Sequence, residues 1–123
     1  MPMHLTYNVY QMADRDAVLL GTLEQIILLA VMQLGADAYG TTVRDEIERR
    51  TGRDVSFGAV YVTLQRLESK GLVTSRLGEP TAERGGRAKR YFQVTGAGRA
   101  AVRRVQEAVT AMTRGLRHVK GTT

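Results

Sequence analysis

Residues 56–95 most constrain what this chain can fold into, because a helix with one apolar face runs straight into a basic, glycine-broken hairpin. Phe57, Val60, Leu64 and Leu67 recur at spacings of three and four, so they share one face of a helix that Gly71 ends. The opposite face carries short or polar side chains: Ser56, Gly58, Ala59, Val62, Thr63 and Arg66. Small residues let a helix backbone approach the base edges in a DNA major groove. The hairpin supplies Arg84, Gly85, Gly86, Arg87, Lys89 and Arg90, with no acid after Glu83. Arginines and lysines on a hairpin beside such a helix can neutralise phosphates.

At 123 residues the chain is one domain, large enough for a core but small for a fold that must enclose a substrate. It has no cysteine, which excludes disulfides, thiolate metal sites and cysteine nucleophiles together. The longest apolar run, residues 26–32, falls far short of the roughly 20 residues that cross a bilayer. Residues 1–10 lack a basic start followed by an apolar block, so a cytoplasmic protein without a signal peptide is expected. The net charge of +6 is unevenly spread. Residues 1–65 carry five basic and eight acidic side chains, whereas residues 66–123 carry thirteen and four. A cationic half beside a mildly anionic one suits polyanion binding, although a solvated arginine-rich surface would look the same.

Residues 1–20 read as an arm or a short helix, with Tyr7, Val9, Tyr10 and Met12 available to pack it. Thr22 and Gln25 have the spacing of a capping box, and residues 26–34 are apolar on nearly every face, as in a central core helix. Tyr39, Gly40 and Thr41 open a second helix with Val43 and Ile47 inward. Its outer face would hold Arg44, Asp45, Glu46, Glu48, Arg49 and Arg50, and Gly52 marks its end. Residues 72–77 and 90–95 are β-rich, and Gly78, Pro80, Gly85 and Gly86 lie in the loop between them. The expected fold is mainly α with a small β-wing: a winged helix-turn-helix over residues 21–95. A further helix, capped by Thr95, would run to about Val119. Its Val102, Val105, Val109, Met112, Leu116 and Val119 are spaced 3, 4, 3, 4, 3, a heptad seam that predicts self-association over residues 96–123.

The ordered set of these motifs resembles the PadR family of transcriptional regulators, in its short members. The likeness starts with Leu20-Gly21-Thr22-Leu23, Tyr39-Gly40 and Gly58-Ala59-Val60-Tyr61. It continues through Leu64-Gln65-Arg66-Leu67-Glu68, Lys70-Gly71-Leu72-Val73 and Gly85-Gly86-Arg87-Ala88-Lys89-Arg90-Tyr91-Phe92 to Thr95-Gly96-Ala97-Gly98. The resemblance implies a homodimeric repressor of its own or a neighbouring gene, bound to a pseudo-palindromic operator and in many members released by a small-molecule effector. It also implies that the third helix enters the major groove, that the wing follows the backbone or minor groove, and that the last helix dimerises. By position, Tyr61 looks like the family's tyrosine that touches the DNA backbone, although its place beside the apolar stripe also suits a core role. Two departures stand out. Many members have proline where this chain has Val62, and this chain has no tryptophan with which some short members line a drug pocket.

Other readings of the residues are weaker. Gly96-Ala97-Gly98-Arg99-Ala100-Ala101 matches a dinucleotide-binding fingerprint, but that site needs a following parallel strand and a ribose-binding acid about 20 residues on. Tight packing at a helix start explains the glycines better. His4 and His118 have no second histidine at ligand spacing, and the pairs Asp14 with Asp16 and Asp45 with Glu46 suit solvated faces. No enzyme, cofactor or metal is expected. Arg66 could spend its charge on Glu68 or Glu46. The main competitor to a DNA-binding regulator is a winged-helix module that binds an acidic protein partner without reading DNA. A membrane-surface role for Arg99, Arg103, Arg104, Arg114 and Arg117 is disfavoured, because the seam lacks the bulky aromatics of interfacial helices.

Overall fold

The computed structural model describes residues 20–80 and 88–116. Its elements are α1 (Thr22–Leu34), a 3-10 turn (Gly35–Asp37), α2 (Gly40–Thr51), α3 (Phe57–Ser69), β1 (Val73–Leu77), β2 (Arg90–Val94) and α4 (Gly96–Thr113). Of the described residues, those between 21 and 99 form one compact unit, and Leu20 with residues 100–116 belongs to a second. The arm expected over residues 1–20 lies, except for Leu20, outside the described residues, as do Arg84, Arg87 and Val119.

α1 starts one residue earlier than the capping-box spacing predicts. Gly21, at φ −66° and ψ 161°, is the cap, and its N–H donates to Glu24 Oε1 at 3.2 Å. Thr22 is already helical. Glu24 serves twice, since its other oxygen accepts from Lys70 Nζ at 3.0 Å and so ties the start of α1 to the end of α3. Ile27, Leu28, Ala30 and Val31 are buried, while Ile26, Leu29 and Met32 are only half-buried, so one face of α1 is less enclosed than its composition predicts.

α2 begins where Tyr39 N–H donates to Thr42 Oγ1 at 2.9 Å, and Gly52 ends it in the left-handed region at φ 74°. Val43 and Ile47 point inward as expected. Glu46, assigned by the sequence to the charged outer face, is instead 9% exposed. The difference has a clear cause: Arg49 Nη2 donates to both carboxylate oxygens at 3.0 and 2.9 Å, and Arg50 Nε adds a third bond. Hydrogen bonds from Arg50 first and Arg49 second hold the Glu46 carboxyl below the usual carboxylate range, against the opposing effect of burial.

α3 is capped by Ser56, whose Oγ accepts from Ala59 N at 3.0 Å. It buries Val60, Thr63, Leu64 and Leu67. At its end Leu72 N–H reaches Leu67 O at 2.9 Å and Gly71 N–H reaches Glu68 O at 2.9 Å. That pair of bonds needs a left-handed residue, and Gly71 supplies it at φ 77°. The chain then enters β1, which pairs antiparallel with β2 so that Val73 faces Val94 and Ser75 faces Phe92. The outer edge of β2 is paired too, because Phe92 N–H donates to Ala38 O at 2.8 Å and Tyr39 bridges Tyr91.

The glycine pair that mimics a nucleotide motif has a packing role at one of its two positions. A Cβ on Gly98 would lie 2.2 Å from Leu72 O, whereas one on Gly96 would meet nothing within 4 Å. Thr95 fixes the same corner: its N–H donates to Leu72 O at 3.0 Å and its hydroxyl to Gly71 O at 2.8 Å. The Thr95 Oγ1 also accepts from Gly98 N at 3.0 Å, which caps α4.

α4 ends at Thr113, six residues short of the expected Val119. Gly115 adopts φ 92°, and Leu116 N–H turns back onto Thr113 O at 2.9 Å, so Leu116 stands outside the helix. Glycine costs a helix interior roughly 1 kcal/mol relative to alanine, and the apolar spacing beyond it does not outweigh that break. The 18 residues of α4 span about 27 Å at ~1.5 Å each. The predicted seam divides along this length. Val102 and Val105 are buried, whereas Val109 is 55% and Met112 78% exposed.

Gly98→Ala should lower the unfolding free energy by about 1–3 kcal/mol, since a backbone carbonyl cannot swing aside as a side chain can. Gly96→Ala should stay within about 0.5 kcal/mol of wild type in the same urea titration.

Candidate nucleic-acid interface

Buried α3 residues fix which face of that helix remains outside. At about 100° per residue, Gly58, Val62, Gln65 and Ser69 fall within an arc of about 60°, which Arg66 widens to about 100°. All five are exposed. Gly58 has open space where its Cβ would be, and Val62 is 52% exposed. Ser56 is exposed at the head of the helix, while Ala59 sits half-buried at the edge of the stripe.

Two of the helix residues named from the sequence turn inward. Thr63 is 4% exposed, and its hydroxyl donates to Ala59 O at 2.7 Å, so it offers nothing to a groove. Its hydroxyl is satisfied by its own helix, which is why a polar residue can occupy a core position. Tyr61 is half-buried. Its ring stacks on Phe57 at 6.0 Å between centroids and meets Phe92 edge-on at 6.5 Å.

Phe57 departs from expectation in the other direction. The spacing counts it with the core stripe, yet it is 45% exposed. It occupies the first residue of α3, where the core is covered on one side only. Gly40 covers it there: a Cβ on Gly40 would stand 2.6 Å from Phe57 Cε1. The starts of α2 and α3 therefore lie against each other, with Tyr61 behind. Only the close approach of Gly40 reveals this corner, and no spacing rule in the sequence points to it.

The charges beside α3 remain available. Arg66 is exposed and forms no ion pair among the described residues. Its expected competitors are engaged elsewhere, since Glu46 takes Arg49 and Arg50 while Glu68 accepts from Ser75 Oγ at 2.8 Å. At the base of the wing Lys89 Nζ lies 5.1 Å from the Tyr39 ring centroid, and Arg76 lies 4.9 Å from that of Tyr91. The two rings meet edge-on at 5.3 Å. An aromatic ring holds a cation in place without cancelling its charge, unlike a carboxylate. Among the described residues, no group of three His, Cys, Asp or Glu could hold a metal ion. None of the described helices is long and apolar enough to cross a membrane.

The profile described as the Transcriptional regulator PadR-like family matches residues 28–104, from α1 into α4. The chain belongs to this family. An uncharacterized protein of Lysinibacillus sphaericus is 31% identical over 88 residues, which are 70% of this chain and 76% of that protein. A PadR-like transcription factor from Bacteroides fragilis, at 21% identity, shares the fold with a TM-score of 0.64 over 80% of this chain and 90% of its own. The Orc1 protein of Aeropyrum pernix, solved in complex with DNA, is 21% identical with a TM-score of 0.61 over 81% of this chain and 27% of its own. PadR membership makes the chain a transcriptional regulator and not an enzyme, and its three helices with a two-stranded sheet are the winged-helix architecture of that family.

The Gly40 corner can be tested by a double-mutant cycle. Gly40→Ala should be less favourable in the wild type than in a Phe57→Ala background, by at least about 0.5 kcal/mol of coupling in chemical denaturation.

Proposed function

We propose that this PadR-family regulator is a homodimeric repressor that reads a pseudo-palindromic operator with α3 and braces the backbone with its wing. The observation that carries this reading is the exposed stripe Gly58, Val62 and Arg66, with Ser56 at its head and unneutralised cations beside it. A helix face free of acids until Glu68, next to Lys89, suits a phosphate-lined groove. The same fold occurs within the Orc1 protein that was solved in complex with DNA. In this proposal Ser56, Gly58, Ala59, Val62 and Arg66 face the groove, and Lys89 contacts phosphate together with Arg84 and Arg87. The Tyr61 hydroxyl reaches the DNA backbone while its ring stays packed on Phe57. Thr63 is left out, since it is buried.

Dimerisation is proposed to run through Val109 and Met112. Two large apolar side chains, 55% and 78% exposed three residues apart on one helix, ask for a partner surface. Val102 and Val105 are already buried within the chain and supply the base of the seam. Repression of its own or a neighbouring gene in the cytoplasm, with release by a small-molecule effector, rests on the family resemblance alone, and no cavity is assigned to an effector. The competing reading is a module that binds an acidic protein and shows no preference among duplexes.

Selection of bound duplexes from a random pool tests the proposal. It should enrich a pseudo-palindrome whose half-sites are about 10 bp apart. With that operator, Lys89→Ala should flatten the log–log salt dependence of affinity by about 0.9 for each phosphate that is no longer neutralised. Binding that depends on salt but not on sequence would favour the protein-binding module. In sedimentation, Val109→Asp with Met112→Asp should give a monomer with an unchanged helical signal. That monomer should bind operator at least about a hundredfold more weakly, because its two half-sites are no longer engaged together. A dimer that survives the change would move the interface elsewhere.

A further inference from the structure

Resting on the proposal that α3 enters the major groove, we infer that Val62 is a specificity-determining residue that reads the 5-methyl group of a thymine in each half-site. Recognition helices meet base edges with their N-terminal turns. In this chain residues 57–64 include no Arg, Lys, Asn, Gln, Asp or Glu, so no bidentate hydrogen bond to a base can come from the first two turns of α3. Of the hydroxyls there, Thr63 is buried and donates to Ala59 O, Ser56 Oγ accepts from Ala59 N and keeps its own O–H at the head of the helix, and that of Tyr61 is assigned to the DNA backbone. Along the exposed arc, residues 57–64 present only Gly58 and the apolar Val62. Phe57 leans on Gly40 and Tyr61 at one side of the helix, about 140° around the axis from Val62. Val62 lies within the exposed arc itself, opposite the buried Val60, Leu64 and Leu67, and is 52% exposed.

Gly58, one turn earlier, has nothing within 4 Å of where its Cβ would be, so the helix backbone can approach the bases closely at the turn that precedes Val62. The only apolar group that a base pair offers in the major groove is the thymine 5-methyl. Contact with Val62 would remove both methyl surfaces from water, and the isopropyl group cannot form the hydrogen bonds that a guanine or cytosine edge requires. Arg66 and Gln65, one turn further along, are left to read hydrogen-bonding edges at the flanking positions.

The test uses full-length wild-type protein, Val62→Ala and the operator obtained by selection, with each thymine replaced in turn by deoxyuridine, which lacks only the methyl group. One thymine per half-site should be sensitive. Its replacement should weaken wild-type binding about fourfold per half-site, the factor that burial of one methylene-sized group gives. The same replacement should change the affinity of Val62→Ala by less than about twofold, since that variant has no isopropyl group to meet the methyl. Because Val62 is half exposed, thermal unfolding of Val62→Ala should match wild type and confirm that the variant folds. A selected operator in which every deoxyuridine effect is the same for wild type and Val62→Ala would overturn the inference and leave the DNA-reading proposal standing. Failure to enrich any duplex would overturn both.

Discussion

The carbonyls of Gly71 and Leu72 receive the Thr95 side chain and backbone, and the rest of the winged unit depends on that joint. Leu72 O accepts from Thr95 N, Gly71 O accepts from its hydroxyl, and Gly98 lies against Leu72 closely enough to exclude any side chain. These contacts join the end of α3 to the start of α4 across the open end of the hairpin. They therefore set the strand register, in which Val73 faces Val94, and they close the apolar layer formed by Val73, Phe92 and Val94 under α3. The left-handed Gly71 makes the joint possible. Without it the chain could not leave α3 and present two successive carbonyls to Thr95.

On this frame the candidate interface separates holding from reading. The apolar side of α3 and the ring of Tyr61 hold the helix on the core, and Gly40 with Phe57 fixes how its first turn lies against α2. Cations are held differently from those in the body. Arg49 and Arg50 share the Glu46 carboxylate, which offsets one of their two charges, whereas Lys89 and Arg76 rest on aromatic rings. A cation placed on a ring keeps its field, so the positive potential remains on the wing side of the unit.

Much of the fold is legible in single residues. Gly52, Gly71 and Thr95 each occupy the helix boundary that their chemistry predicts, and the two strands fall within one residue of the expected ranges. Where reading along the chain departs from the structure, the way a side chain or backbone group is satisfied is responsible, and residue type and spacing alone do not show it. Glu46 belongs to a charged run yet is buried, because two neighbouring guanidiniums satisfy it. Thr63 sits among groove candidates yet turns inward, because its hydroxyl finds Ala59 O. Phe57 fits the core spacing yet stands half outside, because a helix's first turn projects past the layer that its later turns cover. The last helix stops early, because a continuing apolar repeat says nothing about Gly115 leaving the helical region.

The sequence by itself determined element order and the charge division, since these follow from periodicity, capping chemistry and composition, all of which are local; family membership lies in its ordered set of motifs. It also determined the chemistry of the first two turns of α3, because residues 57–64 hold no amide or charged side chain and leave their exposed arc mainly shape and apolar surface to offer a groove. The tertiary structure alone decided which members of that face point outward, which arginines keep their charge and which half of the apolar seam on α4 remains uncovered. Those outcomes depend on what lies across from each side chain. A residue's periodicity gives its angle on its own helix, but only the packed partner decides whether that angle faces core, ring, carboxylate or open solvent.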